Sequence, residues 1–190
     1  MLQTSGVDIS ESNPYPSPSS VLASASDLSC TYVINCTGLS TLLSDPALIP
    51  ARGVLQYYKR PPSFRTCILV DDGPVGSSTH PVYAIPRGDL VAVGGTYLEN
   101  DTETEVREEE REMLELNAST LLPGYPDGWE KVGEWAGFRP VREEGVKIGV
   151  NEDLTKDGVT WIDNYGHGGS GWTVAEGCAD DVGKIIKGLT

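Results

Sequence analysis

The sequence predicts a mixed α/β fold, an α/β layer interrupted by an antiparallel sheet, and three observations carry that expectation. A short apolar run at residues 32–34 ends near Thr37 and Gly38, the pattern of a buried strand running into a tight turn. Four β-rich runs separated by Pro, Gly, Asp and Ser then occupy residues 53–98, as in an antiparallel sheet. Near the carboxyl end "VTWIDNY" gives another apolar strand. A glycine turn follows it, then a helical run through Val174, Ala175, Ala179, Val182 and Ile185 or Ile186. That order reads as one domain interrupted by another.

Taken along the chain, residues 1–29 are rich in Ser, Pro and Asn. Such composition does not offset its ordering entropy by burial, which predicts a mobile lead-in. "GVLQYYKR", "TCILVDD", "PVYAIPR" and "DLVAVGGTYL" supply the sheet, the last two joined by a glycine-bearing hairpin loop at Arg87, Gly88 and Asp89. In "DTETEVREEEREMLELNASTLLPGY", Thr102 and Glu105 form a capping box, and Val106, Met113 and Leu116 recur on one helical face. Glu103 and Arg107 support that helix at i,i+4. The acidic run Glu108, Glu109 and Glu110 reads as a solvated helix face rather than a cation site. Pro123 and Gly124 end the helix, and Val146, Ile148 and Val150 alternate as in a strand.

Composition narrows the function classes. A chain of 190 residues buries the core of one domain or one and a half. Its formal net charge of -14 argues against nucleic-acid and anionic-membrane partners, which need a basic face. No apolar run approaches the roughly 20 residues that span a bilayer, and the N-terminus has neither the charged nor the apolar region of a secretory signal. The 4 cysteines show no C-x-x-C pairing and have only His80 and His167 to join them. No metal site is expected, and reduced thiols in an intracellular protein are.

Three constellations bear on chemistry. With a loop of Arg87 to Asp89 and no bulge, Tyr83 pairs with Val93, and the period of two puts Tyr83 and Tyr97 on one face, roughly 13 Å apart. Two phenols there can line a ligand pocket; tyrosine is also simply a good strand residue. In "GFRPVR", Arg139 precedes a proline and is held extended, and a guanidinium suits bidentate capture of a carboxylate. Arg139 and Arg142 could equally pair with Glu143 or Glu144. Finally, Gly166, Gly168 and Gly171 are spaced as G-x-G-x-x-G between a strand and a helix, the form of a nucleotide-binding turn. The acidic residue that should follow about 20 positions on falls at or past the chain's end.

In order, "YVINCTGL", Arg52-Gly53, "YAIPRGDLVAVGGTY", "GFRPVR" and "NYGHGGSGWT" resemble the D-amino-acid oxidase family of FAD-dependent enzymes, over roughly residues 31 to 187. The resemblance implies a partial Rossmann-like FAD-binding domain, residues 30–52 and 139–190, interrupted by an antiparallel-sheet substrate domain at 53–138. It implies FAD as cofactor, a D-amino acid and molecular oxygen as reactants, and a homodimer as one arrangement. Arg139 would clamp the substrate carboxylate, Tyr83 would donate to it, and the carbonyl of Gly169 would accept from the substrate amine. Gly168, Gly169, Ser170, Gly171, Trp172 and Thr173 would lie against the flavin, with Thr37 beside the cofactor. Tyr97, directly after "GGT", matches the fungal pattern. Thr79 stands where vertebrate members carry a tyrosine, and the hairpin register places it opposite Tyr97. Without a basic residue after "GGT", neutral D-amino acids are favoured over acidic ones. His167 reads as structural.

The family's first glycine fingerprint, which holds the ADP half of FAD, has no counterpart in residues 1–29. The expectation is a truncated form of an active oxidase. A degenerate non-catalytic relative and a protein completed by another chain are the alternatives. The resemblance implies a cytoplasmic or peroxisomal setting; the chain ends Gly-Leu-Thr rather than in a peroxisomal tripeptide.

Overall fold

The computed structural model describes residues 6–7, 15–39, 42–70 and 80–189. In chain order the elements begin with α1 (Pro18–Asp27), β1 (Tyr32–Asn35), β2 (Leu48–Lys59), β3 (Ile68–Val70), β4 (Val82–Arg87), β5 (Leu90–Gly94) and β6 (Leu98–Glu99). They continue with α2 (Glu108–Leu121), β7 (Lys131–Arg142), β8 (Lys147–Val150), β9 (Thr160–Tyr165), a 3-10 turn at Gly168–Ser170 and α3 (Gly171–Leu189). Two compact units result. One comprises Met1–Pro46, Val146–Tyr165 and Val174–Thr190; the other comprises Ala47–Gly145 and Gly166–Thr173. The second unit is therefore wider than residues 53–138 and includes Arg139. Among the described residues no helix is long and apolar enough to cross a membrane.

The first unit holds a three-stranded sheet in the order β1-β9-β8, with β1 parallel to β9 and β8 antiparallel to it. Its apolar cluster joins Leu22 and Ala25 of α1 to Val159 and Trp161. Residues 18–27, expected within a mobile lead-in, are thus helical and anchored. The serine and proline content that resembled disorder is here a helix start. Ser17 Oγ accepts from the Ser20 amide at 3.2 Å, Ser20 Oγ accepts from the Ser17 amide at 3.3 Å, and Pro18 opens the helix. At the sheet's centre the wholly buried Asp163 accepts from Asn35 Nδ2 at 3.0 Å, Asn151 Nδ2 at 2.9 Å and Trp161 Nε1 at 2.9 Å. Lys147 Nζ stands 3.4 Å away. These donors offset the burial of a carboxylate and tie β1, β8 and β9 together.

The second unit is built on a six-stranded sheet in the order β3-β4-β5-β2-β6, with β7 along the other edge of β2. β2 and β7 pair from Leu48↔Arg142 to Tyr58↔Lys131. α2 covers one face, packing Leu114 against Val54 and Ala118 and Leu121 against Tyr58, Val82, Ala84, Val91 and Val93. The helix begins at Glu108 rather than near Thr102, and its buried side is Glu110, Leu114, Asn117, Ala118 and Leu121. Leu116, expected inside, is 59% exposed.

The reason is Arg52, a wholly buried guanidinium that demands partners. It grips both Glu110 carboxylate oxygens, the second at 3.0 Å, and donates to the carbonyls of Glu103 at 2.6 Å and Glu105 at 2.5 Å. Residues 101–107 are consequently non-helical, with a single bend at Glu105, so the Thr102–Glu105 box does not form. Glu110 turns inward from the acidic run instead of facing solvent, and its carboxylate caps the helix by accepting from the Arg107 amide at 2.8 Å. Arg107 pairs with Asp101 at 2.7 and 2.8 Å rather than with Glu103. Its hydrogen bonds lower the Asp101 carboxyl to about 2. A folded-state pKa below the unfolded value of about 3.9 stabilises the fold above that value and is lost as pH falls toward 2. Acid titration of the wild type should therefore show an added fall in unfolding free energy over that window. Asp101→Asn should lack it, and identical curves would refute the assignment.

Candidate functional site

The site is built on the sheet face opposite α2. β4 and β5 are joined by the two residues Gly88 and Asp89, with Gly88 at φ +58 taking the first turn position. This shifts the register by one from expectation: Tyr83 pairs with Gly94, and Ala84 with Val93. A second offset restores the outcome. Between Gly94↔Leu55 and Leu98↔Arg52, residues 95–97 stand opposite only 53 and 54, so the chain bulges and its side-chain alternation flips. The two one-residue offsets cancel, and Tyr83 and Tyr97 line one cavity. Thr79, expected opposite Tyr97, lies outside the described residues.

That cavity, about 510 Å³, is walled by Tyr83, Tyr97, Arg139, His167 and the Gly168–Ser170 turn, with Leu69, Pro81, Val141 and Gly166 completing it. Arg139 extends from β7. Its Nη1 donates to the Thr96 carbonyl at 3.1 Å, and its guanidinium carbon lies 5.4 Å from the centre of the Tyr97 ring. The neighbouring glutamates do not claim it: Arg142 Nη2 takes Glu144 at 2.5 Å instead. Among the described lining residues there is no carboxylate, so in a chain of net charge -14 this part of the wall presents a cation and two phenols. Burial pushes the Tyr83 phenol above its ordinary pKa, against the opposing pull of Arg139. Tyr83 stays protonated at neutral pH and remains a donor. An anion of carboxylate shape suits such a wall.

Glycines give these side chains their room. A Cβ on Gly53 would fall 2.4 Å from Arg139 Nη1, and one on Gly94 would fall 2.2 Å from Tyr83 Cζ. Because the atom met at Gly53 is the far end of a flexible side chain, Gly53→Ala should leave the melting temperature within a few degrees. It should still weaken binding of a small carboxylate by about tenfold, as the guanidinium is pushed out of line. Titration calorimetry with propanoate checks this, and unchanged affinity would show that the seat is not needed.

The structure brings together Arg139, Tyr83, Tyr97, Gly168, Gly169 and Ser170. Gly171, Trp172 and Thr173 form the first turn of α3 outside the cavity wall, with Trp172 98% exposed. Thr37 belongs to the other unit, at the carboxyl end of β1, where its hydroxyl donates to Asn35 Oδ1 at 2.7 Å. Sequence reasoning passed over Thr96, Val141 and the lining role of His167. Only the glycine pair before Thr96 hinted at an irregular strand end.

A flavin ring needs a flat approach to backbone, and the turn offers it. A Cβ on Gly168 would sit 3.3 Å from Val141 Cγ2 and one on Gly169 3.4 Å from Arg139 Cδ. Bare backbone therefore forms that wall, and the residues present fit the ring end of such a cofactor.

The family described as FAD dependent oxidoreductase (DAO) matches residues 7–185. A D-amino-acid oxidase of Streptomyces coelicolor is 32% identical over 157 residues, 82% of this chain and 47% of that protein. A D-amino acid oxidase of Dugesia ryukyuensis is 33% identical over 166 residues, 83% of this chain and 46% of that protein. The chain spans about half the length of the curated relatives it matches. Among solved structures, glycine oxidase from Bacillus cereus superposes with a TM-score of 0.65 at 21% identity, covering 84% of this chain and 43% of that one. L-proline dehydrogenase from P. horikoshii gives 0.60 at 16% identity, covering 82% and 42%. These two likenesses concern the fold.

Proposed function

This chain belongs to the family of FAD dependent oxidoreductases, and on that premise we propose that it serves the oxidative deamination of D-amino acids. Neutral D-amino acids are preferred, and the products are 2-oxo acids, ammonia and hydrogen peroxide. One observation carries this reading: Arg139, Tyr83 and Tyr97 converge with the bare Gly168–Gly169 backbone on a single cavity.

Arg139 and Tyr83 hold the substrate carboxylate, a charge-assisted pair of donors that also fixes which face of the α-carbon is presented. The Gly169 carbonyl accepts from the substrate amine, which reacts in its neutral form, so no side-chain base is required. Tyr97, an uncharged ring where a second cation would be needed for an acidic side chain, favours neutral substrates. Bound FAD supplies a two-electron acceptor for the α-hydrogen, and molecular oxygen carries those electrons on to hydrogen peroxide. Residues Gly168 to Thr173 would hold the ring, with the amino end of α3 favouring negative charge there, and Thr37 is proposed as a further cofactor contact. A cytoplasmic or peroxisomal setting belongs to the same proposal.

The test is direct. The purified protein, with FAD added, should show the visible bands of bound flavin and release peroxide on D-alanine faster than on D-aspartate. A colourless protein that yields no peroxide would refute catalysis by this chain and favour the non-catalytic alternative. A D-aspartate preference would refute the role given to Tyr97.

A further inference from the structure

The bulge between β5 and β6 interrupts the ladder along that edge of β2, whose other edge stays paired with β7. The buried backbone groups on the interrupted edge must be satisfied in another way. Thr96, only 1% exposed, meets the need with a single hydroxyl. Its Oγ1 accepts from the Val54 amide at 3.2 Å and donates to the Arg52 carbonyl at 3.4 Å. The side chain stands in for the missing strand. The Thr96 backbone is left off the ladder, and its own carbonyl accepts from Arg139 Nη1 at 3.1 Å. The next residue, Tyr97, puts its ring against the same guanidinium. The start of the bulge has separate anchors: the Gly95 amide donates to the Pro81 carbonyl at 2.6 Å, and Asn117 Nδ2 donates to the Gly94 carbonyl at 3.1 Å. Neither reaches the peptide that touches Arg139.

We propose that Thr96 is a positioning residue for carboxylate capture: its hydroxyl, set into the edge of β2, fixes the carbonyl that aims Arg139 and the turn that carries Tyr97. This rests on the reading of Arg139 as the carboxylate clamp. Valine keeps the branched shape of threonine and removes only the hydroxyl, so shape and hydrogen bonding separate cleanly.

The experiment uses the full chain loaded with FAD. It measures the Kd for propanoate by calorimetry, KM and kcat with D-alanine, and the melting temperature, for wild type, Thr96→Val, Thr96→Ser and Arg139→Met. Thr96→Val should raise Kd and KM about tenfold with kcat changed less than about threefold, since alignment of the clamp is lost while the reacting centre is untouched. Thr96→Ser, which retains the hydroxyl, should stay within about twofold of wild type. A purely structural role would lower the melting temperature and leave Kd and KM of the folded protein unchanged; that result overturns the proposal. Equal losses in Thr96→Ser and Thr96→Val overturn it as well. If Thr96→Val does not fold, Thr96→Cys replaces it, and an unchanged Kd there counts against the hydroxyl. An Arg139→Met variant that binds propanoate normally would instead refute the clamp itself.

Discussion

Glu110→Ala is expected to destabilise the protein by about 3 kcal/mol, because it removes the carboxylate that the buried Arg52 guanidinium hydrogen-bonds and leaves, among the described carboxylates, only Asp101 at 3.9 Å. Arg52 is wholly buried and Glu110 6% exposed, so water cannot replace the lost partner. A loss of that size is a large part of the stability of an ordinary domain, and chemical denaturation would register it as a lower midpoint. The pair's net worth is a different quantity from the penalty of breaking it. Arg52→Met combined with Glu110→Leu should therefore recover much of the loss, since neither charge then remains to be solvated. A deficit below about 1 kcal/mol in Glu110→Ala would mean that solvent reaches the pair, as at a surface bridge.

Arg139→Met is expected to weaken carboxylate binding by about 100-fold, with little change in melting temperature. Among the described lining residues it is the sole arginine or lysine, so its removal forfeits charge-assisted bonds to an anion. Arg139→Lys should recover only part of the affinity, because an ammonium is a point donor that does not reproduce the planar fork. Propanoate calorimetry reads both variants, and full recovery by lysine would show that charge alone suffices.

Much of the architecture follows from local pattern. The parallel pair β1 and β9 was readable as apolar runs, and β4 and β5 as alternating runs around a glycine turn. α3 was readable from its helical spacing, with Cys178 and Val182 buried one turn apart. β7 was harder to see: "KVGEWAGFRPVR" lacks clean alternation, since two glycines and a proline interrupt it, and its partner in the sheet is more than 70 residues away in sequence. The helix at α1 was missed because serine and proline are common both to disordered segments and to helix starts.

For the site, residue type and spacing within "GFRPVR" and "NYGHGGSGWT" mark Arg139 as suited to a carboxylate and the glycines as a close-approach turn. They leave Arg139 open to pairing with Glu143 or Glu144; it is the family resemblance that singles out Arg139 and the Gly168–Gly169 turn. The pairing of Tyr83 with Tyr97 was nominated through a register that does not occur. That both line one cavity depends on a two-residue hairpin loop and a one-residue bulge, and no local pattern encodes that compensation. Nor does an acidic run reveal that Glu110 alone turns inward, because that choice is made by Arg52, 58 residues earlier. Chemistry carried by one residue or one turn is written in the sequence itself. Register, burial of charge and the aim of the Arg139 guanidinium depend on partners brought together from distant strands, and are settled only when the sheet closes around them.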